Sequence, residues 1–242
     1  MVDIEKLSES SLKLYLDINK RTIITLYSKI KNENKRILND AFLLLQNKIF
    51  TLFESIIILC NKNKYVESHM LLRNQLETGI FIKYLSRYPF EIKRWISWDK
   101  MDYSQKENIP TKYNDFITYL KNNGFRRSIT LVTKKNHTSI KNFSPGLIRK
   151  LAFINDSDLE GSSFDELYYW LCKYSHPSVY MLGKNDSLNK DIYNSTLKTG
   201  LHLLNESTSI VFKKLKKYIT KEDIEKFIKN YNLIIACCRP TV

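Results

Sequence analysis

Glycine and proline are scarce, 6 and 5 in 242 residues, which argues against a turn-rich sheet protein that needs both at its bends. No stretch rich in Pro, Gly or Ser divides the chain, so one domain over 1–242 is expected. Acidic side chains are few: 25 Asp and Glu against 39 Lys and Arg give a formal charge of +14, which favours a polyanionic partner. The cysteines, at 60, 172, 237 and 238, lack CxxC spacing, and adjacent Cys237 and Cys238 are poorly placed to bridge each other. Reduced thiols in a cytoplasm follow. No two of the histidines at 69, 137, 176 and 202 have metal-ligand spacing, and Asp156 with Asp158 cannot make a carboxylate site alone. P-loop, GxGxxG and GxSxG signatures are absent. Neither a metal nor a cofactor is expected. The longest apolar run, Ala41 to Cys60, is interrupted by Gln46, Asn47, Lys48 and Glu54, so no membrane span is expected, and MVDIEKLSES lacks the regions of a signal peptide.

What is abundant is Leu, Ile, Lys and Asn, which suits long helices with short connections. The fold class expected is all-α, a bundle of seven or eight helices: an N-terminal pair in 1–60, motif-bearing helices in 61–182 with a basic loop at 121–150, and C-terminal helices in 187–236. Helices are expected over about 35–60, 65–87, 112–122 and 188–219. A polar turn falls at 61–64, and a short helix opens at Ser144, Pro145 and Gly146. Thr220 with Asp223 resembles a cap.

The stretch from Val66 to Tyr84 is unusual. At about 100° per residue, Val66, Met70, Ile80, Phe81 and Tyr84 share one direction, with Arg73 and Glu77 within about 20° of it. A charge removed from water costs several kcal/mol unless paired, so these two must be used structurally or chemically. If they are architectural, Arg73→Ala should cost roughly 3 to 5 kcal/mol by stranding Glu77. His176 stands at the end of another helix, where the macrodipole favours imidazolium, and Ser175 beside it falls on that helix's core-facing stripe. Convergence of Arg73, Glu77, Ser175 and His176 is therefore expected. His69 is expected at a boundary, and His202 with Glu206 as a surface or interhelical pair. Trp95, Trp98 and Tyr103 are able to stack on bases, although such spacing also suits core packing.

From Phe116 to Asn155 there is no acidic residue, and Arg126, Arg127, Lys134, Lys135, Lys141, Arg149 and Lys150 all lie there. With Lys173 they are the candidate contacts to nucleic acid. A second cluster, Lys213, Lys214, Lys216, Lys217 and Lys221, reads equally as a solvated helix end.

Leu72-Arg73-Asn74-Gln75-Leu76-Glu77, then Tyr84-Leu85, and the run from Leu167 to Ser178 with Ser175-His176-Pro177 resemble a bacterial helical family of unknown function, the domain of unknown function family fifty-six seventy-seven. The likeness spans roughly Ala41 to Leu182. In helical layout that family is similar to HEPN proteins, many of which are ribonucleases of toxin and antiviral systems. The resemblance implies metal-independent RNA cleavage, with His176 moving a proton and an arginine stabilising the phosphorane charge, and it implies a homodimer. The chain departs from the HEPN pattern of Arg, four to six residues, then His: the matching positions hold Leu171, Trp170 and Tyr169. Arg73 from a neighbouring helix would have to supply the guanidinium, oriented by Glu77. The functional expectation is an RNA-acting effector of toxin or antiphage type, and its alternative a non-catalytic adaptor or nucleotide-binding protein. A partner protein encoded nearby is a further expectation.

Overall fold

The computed structural model describes residues 36–89, 145–153, 166–173 and 190–225 without a break, and shorter stretches or single positions elsewhere, among them 129–132 and 137–140. Helix α1 (Arg36–Asn61) supplies a large share of the core. Phe42, Ile49, Phe50, Phe53, Ile56 and Cys60 recur on it at three- and four-residue steps, and all are buried. Helix α2 (Tyr65–Arg87) and helix α4 (Lys190–Lys214) pack on α1 and on each other, and the short α3 (Pro145–Ala152) packs on α2. Full burial of a Phe or Leu stabilises by about 1.5–3 kcal/mol, so this three-helix contact is where the fold's main apolar term arises.

The connection from α1 to α2 is a built turn. Lys64 N–H donates to Leu59 O at 2.8 Å and Asn63 N–H to Cys60 O at 3.0 Å, while Asn63 takes the left-handed φ of 58°. This pair of bonds is a Schellman closure, and asparagine tolerates the conformation usually left to glycine. Asn63 Oδ1 also accepts the Tyr65 hydroxyl at 3.0 Å. The polar turn expected at 61–64 therefore folds α2 back along α1.

Helix α4 meets its neighbours through a row at every fourth residue: Thr196, Gly200, Leu204 and Thr208, all buried. Thr196 Oγ1 lies 3.1 Å from His69 Nε2. Gln75 Nε2 donates to Gly200 O at 2.9 Å, and Gln46 Nε2 donates to Thr208 Oγ1 at 2.7 Å. Gly200 admits the close approach: a Cβ there would stand 2.7 Å and 2.8 Å from two ring atoms of Phe53. Beyond α4, a 3-10 turn runs through Lys216–Tyr218. Thr220 and Asp223 then cap each other's backbone: Thr220 N–H donates to Asp223 Oδ2 at 3.0 Å and Asp223 N–H to Thr220 Oγ1 at 3.1 Å.

The helical expectation holds for the bundle. One addition stands in the basic region, which was expected to be irregular. Strands β1 (Pro110–Thr111), β2 (Ile129–Val132) and β3 (His137–Ile140) form a small antiparallel sheet in the order β1-β3-β2, with Ile129 opposite Ile140 and Val132 opposite His137. Ile129, Thr130, Val132, Thr138 and Ile140 are β-branched, and such residues favour strands.

Helix α1 carries the apolar run that was expected not to span a membrane. Asn39–Asn61 reaches a mean hydropathy of 1.6 over a spanning window, half of it buried inside the fold. Its polar interruptions have uses in the bundle: Gln46 is the buried link to Thr208, and Glu54 pairs with Lys20. The apolarity of α1 is the apolarity of a core helix.

Candidate functional site

Arg73 and Glu77 sit one turn apart on α2, and this spacing brings their side chains together on the helix surface. Arg73 Nε donates to Glu77 Oε1 at 3.0 Å, with side-chain exposures of 16% and 31%. The pair lies on the flank of α2. Leu72 and Leu76, both buried, define the direction of the main core, and the charged pair lies about 100° around from it. The expectation of charges aimed into the interior is corrected accordingly. Of the residues that suggested that stripe, Ile80 and Tyr84 are buried, Val66 and Phe81 half-buried and Met70 exposed. They belong to a second apolar face, the one that smaller elements cover.

The covering element is the helical stretch 166–173. From it Tyr168 accepts a hydrogen bond from Arg73 Nη2 at 3.3 Å and presents its ring 5.3 Å from Arg73 Cζ. One turn earlier on α2, buried His69 meets Trp170 edge-on, with ring centroids 4.8 Å apart. The expected boundary histidine is thus an interior one. From α3, Arg149 stacks over Tyr168 at 4.5 Å and over Tyr169 at 5.1 Å, and its Nη2 donates to the Tyr169 hydroxyl at 3.5 Å. Two guanidinium groups therefore flank one phenol ring.

The surroundings act on both ionisable groups of the Arg73–Tyr168 contact. Partial burial works against the Arg73 charge, but the Tyr168 hydroxyl and the Glu77 carboxylate outweigh it and hold the guanidinium above its ordinary value. Burial, reinforced by the negative charge of Glu77, raises the Tyr168 phenol despite the opposing effect of Arg73. At neutral pH the contact joins a charged guanidinium to a neutral phenol. Beside it opens a cleft of about 280 Å³ whose walls include Lys48, Asn74, Glu77, Phe81, Trp95 and Tyr168.

Of the residues singled out from sequence, Arg73 and Glu77 are together as expected. Arg149 is buried, 5% exposed, and its cation serves a stack within the fold where a solvated phosphate contact was expected. Lys173 is exposed. Lys150 lies in α3, with its backbone described. Ser175, His176, Arg126, Arg127, Lys134, Lys135 and Lys141 lie outside the described residues, so their expected convergence or patch does too. His202 and Glu206 are exposed on α4, and Lys213, Lys214, Lys216, Lys217 and Lys221 are solvated. Among the described residues no three His, Cys, Asp or Glu side chains group as metal ligands. Tyr168 was missed as the partner of Arg73, and Arg149 as the second cation on its ring. Their signal was available: Arg149 stands beside Ile148 and three residues before Ala152, on the apolar side of α3.

The arrangement is that of a helical bundle with an aromatic-lined cleft on the flank of its second long helix, walled by Lys48 and Glu77 and lying beside the Arg73–Tyr168 contact. The chain belongs to a family of unknown function, DUF5677, which matches residues 39–194. That span takes in the Arg73–Glu77 pair, α3 and the stretch carrying Tyr168. No curated protein and no solved structure matches the chain.

Proposed function

We propose that the chain is an RNA-acting effector of a bacterial toxin or antiphage defence system, a HEPN-like bundle of seven or eight helices working as a homodimer in the cytoplasm. The observation that supports this reading is the pair of guanidinium groups, Arg73 and Arg149, around Tyr168 in a chain of charge +14. Positive charge beside a cleft suits a phosphodiester better than a neutral ligand. In this reading Arg73 binds phosphate and Glu77 positions Arg73. His176, with Ser175 beside it, follows closely on the stretch that carries Tyr168 and moves the proton at the ribose 2′-hydroxyl or leaving oxygen. Arg126, Arg127, Lys134, Lys135, Lys141 and Lys150 hold the strand, with exposed Lys173. The deciding measurement is RNA breakdown, or growth arrest on expression: His176→Ala abolishes it with the melting temperature unchanged. Full activity in folded Arg73→Ala and His176→Ala variants removes the assignment.

A second reading is a non-catalytic adaptor, possessing a polyanion face and a nearby-encoded partner. It is favoured by the engagement of Arg73 within its own helix, 3.0 Å from Glu77, as in an architectural ion pair. Under it, binding to RNA falls steeply with salt and follows the basic residues of 121–150, with no breakdown of the strand.

A further inference from the structure

We propose that the cleft beside Arg73 and Glu77 seats one guanine base; the identification of the larger ligand as RNA rests on the reading above, whereas the base preference rests on the cleft alone. At about 280 Å³ the space is at the lower edge of small-molecule sites, which run from about 300 Å³ upward. It suits one planar heterocycle and leaves the rest of a strand outside. Phe81, Trp95 and Tyr168 stand on its walls, with Phe81 and Trp95 locked edge-on at 4.8 Å. Rings held in this way offer stacking surface with little left to order on binding, and stacking contributes about 1–3 kcal/mol per base.

The polar wall chooses among bases. The Glu77 carboxylate is an acceptor only, with about four lone-pair sites for its two oxygens. Arg73 Nε takes one of these sites at Oε1, 3.0 Å away, and so fixes the group without filling it. The base edge that meets a fixed carboxylate has to offer N–H groups. Guanine presents two donors side by side, N1–H and the N2 amine. Adenine and cytosine each place an acceptor nitrogen beside their amine, and uracil flanks its one N–H with carbonyls. Two adjacent donors against two carboxylate oxygens is the bidentate match, and the other three bases each bring an oxygen or nitrogen lone pair against negative charge. Asn74, exposed and three residues before Glu77, is its neighbour on the helix surface, and its amide can donate to the guanine O6. Exposed Lys48, across the cleft on α1, supplies a cation for the attached phosphate.

Calorimetric titration with the four nucleoside 5′-monophosphates tests this. GMP should bind about tenfold or more tighter than AMP, CMP or UMP, the discrimination expected of one bidentate contact. Glu77→Gln keeps a carbonyl oxygen for Arg73 but sets an amine against the donor edge, and it should erase the preference. Lys48→Ala should weaken GMP several-fold and leave guanosine unchanged. Equal binding of the four nucleotides by the original chain, or a guanine preference that survives in Glu77→Gln, overturns the proposal. Should Glu77→Gln melt early, exposed Asn74→Ala replaces it, and an unchanged ratio of GMP to AMP affinity there overturns the proposal in the same way. A chain that prefers GMP but neither binds nor cleaves RNA supports the guanine seat and overturns the RNA-acting reading. A chain that cleaves RNA without any base preference overturns the guanine seat alone.

Discussion

A buried hydrogen bond joins His69 Nε2 to Thr196 Oγ1. The two atoms are 3.1 Å apart, and the single hydroxyl proton of Thr196 is already directed to Ile192 O at 2.7 Å, so the proton between them belongs to the imidazole. Thr196→Val leaves that buried N–H without its acceptor and should destabilise by about 1–3 kcal/mol, read from the urea midpoint at unchanged slope. Thr196→Ser should recover most of the loss. Nitrogen chemical shifts of His69 showing a bare Nε2 would contradict the assignment.

Gly200 lets α4 lie close against Phe53 of α1. A methyl group there would meet the Phe53 ring at 2.7 and 2.8 Å and Gln75 Oε1 at 3.2 Å, so Gly200→Ala should cost about 1–3 kcal/mol despite its gain in helix propensity. Trimming the obstacle tests the cause. In a double-mutant cycle, Gly200→Ala on a Phe53→Leu background should cost less than on the original chain.

Arg73→Ala should destabilise by about 1–2 kcal/mol, less than the 3 to 5 that fully buried charges would imply. Glu77, with 31% of its side chain exposed, stays partly hydrated when its partner is removed, and pairs with that much solvent contribute little. Thermal unfolding at low and high salt measures this. A loss approaching 5 kcal/mol would restore the interior-charge picture.

Alkaline pH should weaken the fold through Cys60. Burial pushes its thiol from 9.0 up to about 11, against a smaller lowering by the Ser68 hydroxyl. The folded state holds the proton more tightly than the unfolded chain, so this stabilising contribution is full below about pH 9 and is lost as pH rises through about 11. Two units correspond to about 2–3 kcal/mol. Tyr168, raised for the same first reason, adds a decline of the same sign at higher pH. Denaturant unfolding between pH 8 and 11 should show a slope that Cys60→Ala flattens.

Helix existence was legible where periodicity is long and local. The bounds of α2 agree with the spacing of its apolar residues, and α1 was marked by the run from Ala41 to Cys60. The Thr220–Asp223 cap was readable because all of its partners lie within three residues. The direction of α2 was not, since a helix covered on two sides has two apolar stripes and periodicity does not say which is the deeper. Arg73 and Glu77 were noticed for their company with Val66, Met70, Ile80, Phe81 and Tyr84, of which Ile80 and Tyr84 are buried and the other three are not. Tyr168 and Arg149 escaped notice because the contacts of Tyr168 with Arg73 and with Arg149 join separate elements, and a tyrosine on an amphipathic helix looks the same whether it packs or accepts a hydrogen bond. The strands β2 and β3 were obscured by the lysines around them, which drew the reading toward charge and away from the β-branched alternation.

The family match stops at residue 194, the fifth residue of α4, while the groups that fasten α4 to its neighbours begin at Thr196 and continue to Thr208. A fragment cut to the matched span would carry Gln46, His69 and Gln75 with their receptors deleted, and it would open Phe53 to water. The unit that folds is therefore longer than the unit that is recognised, and an expression fragment intended to behave as the intact bundle has to run past the last turn of that helix.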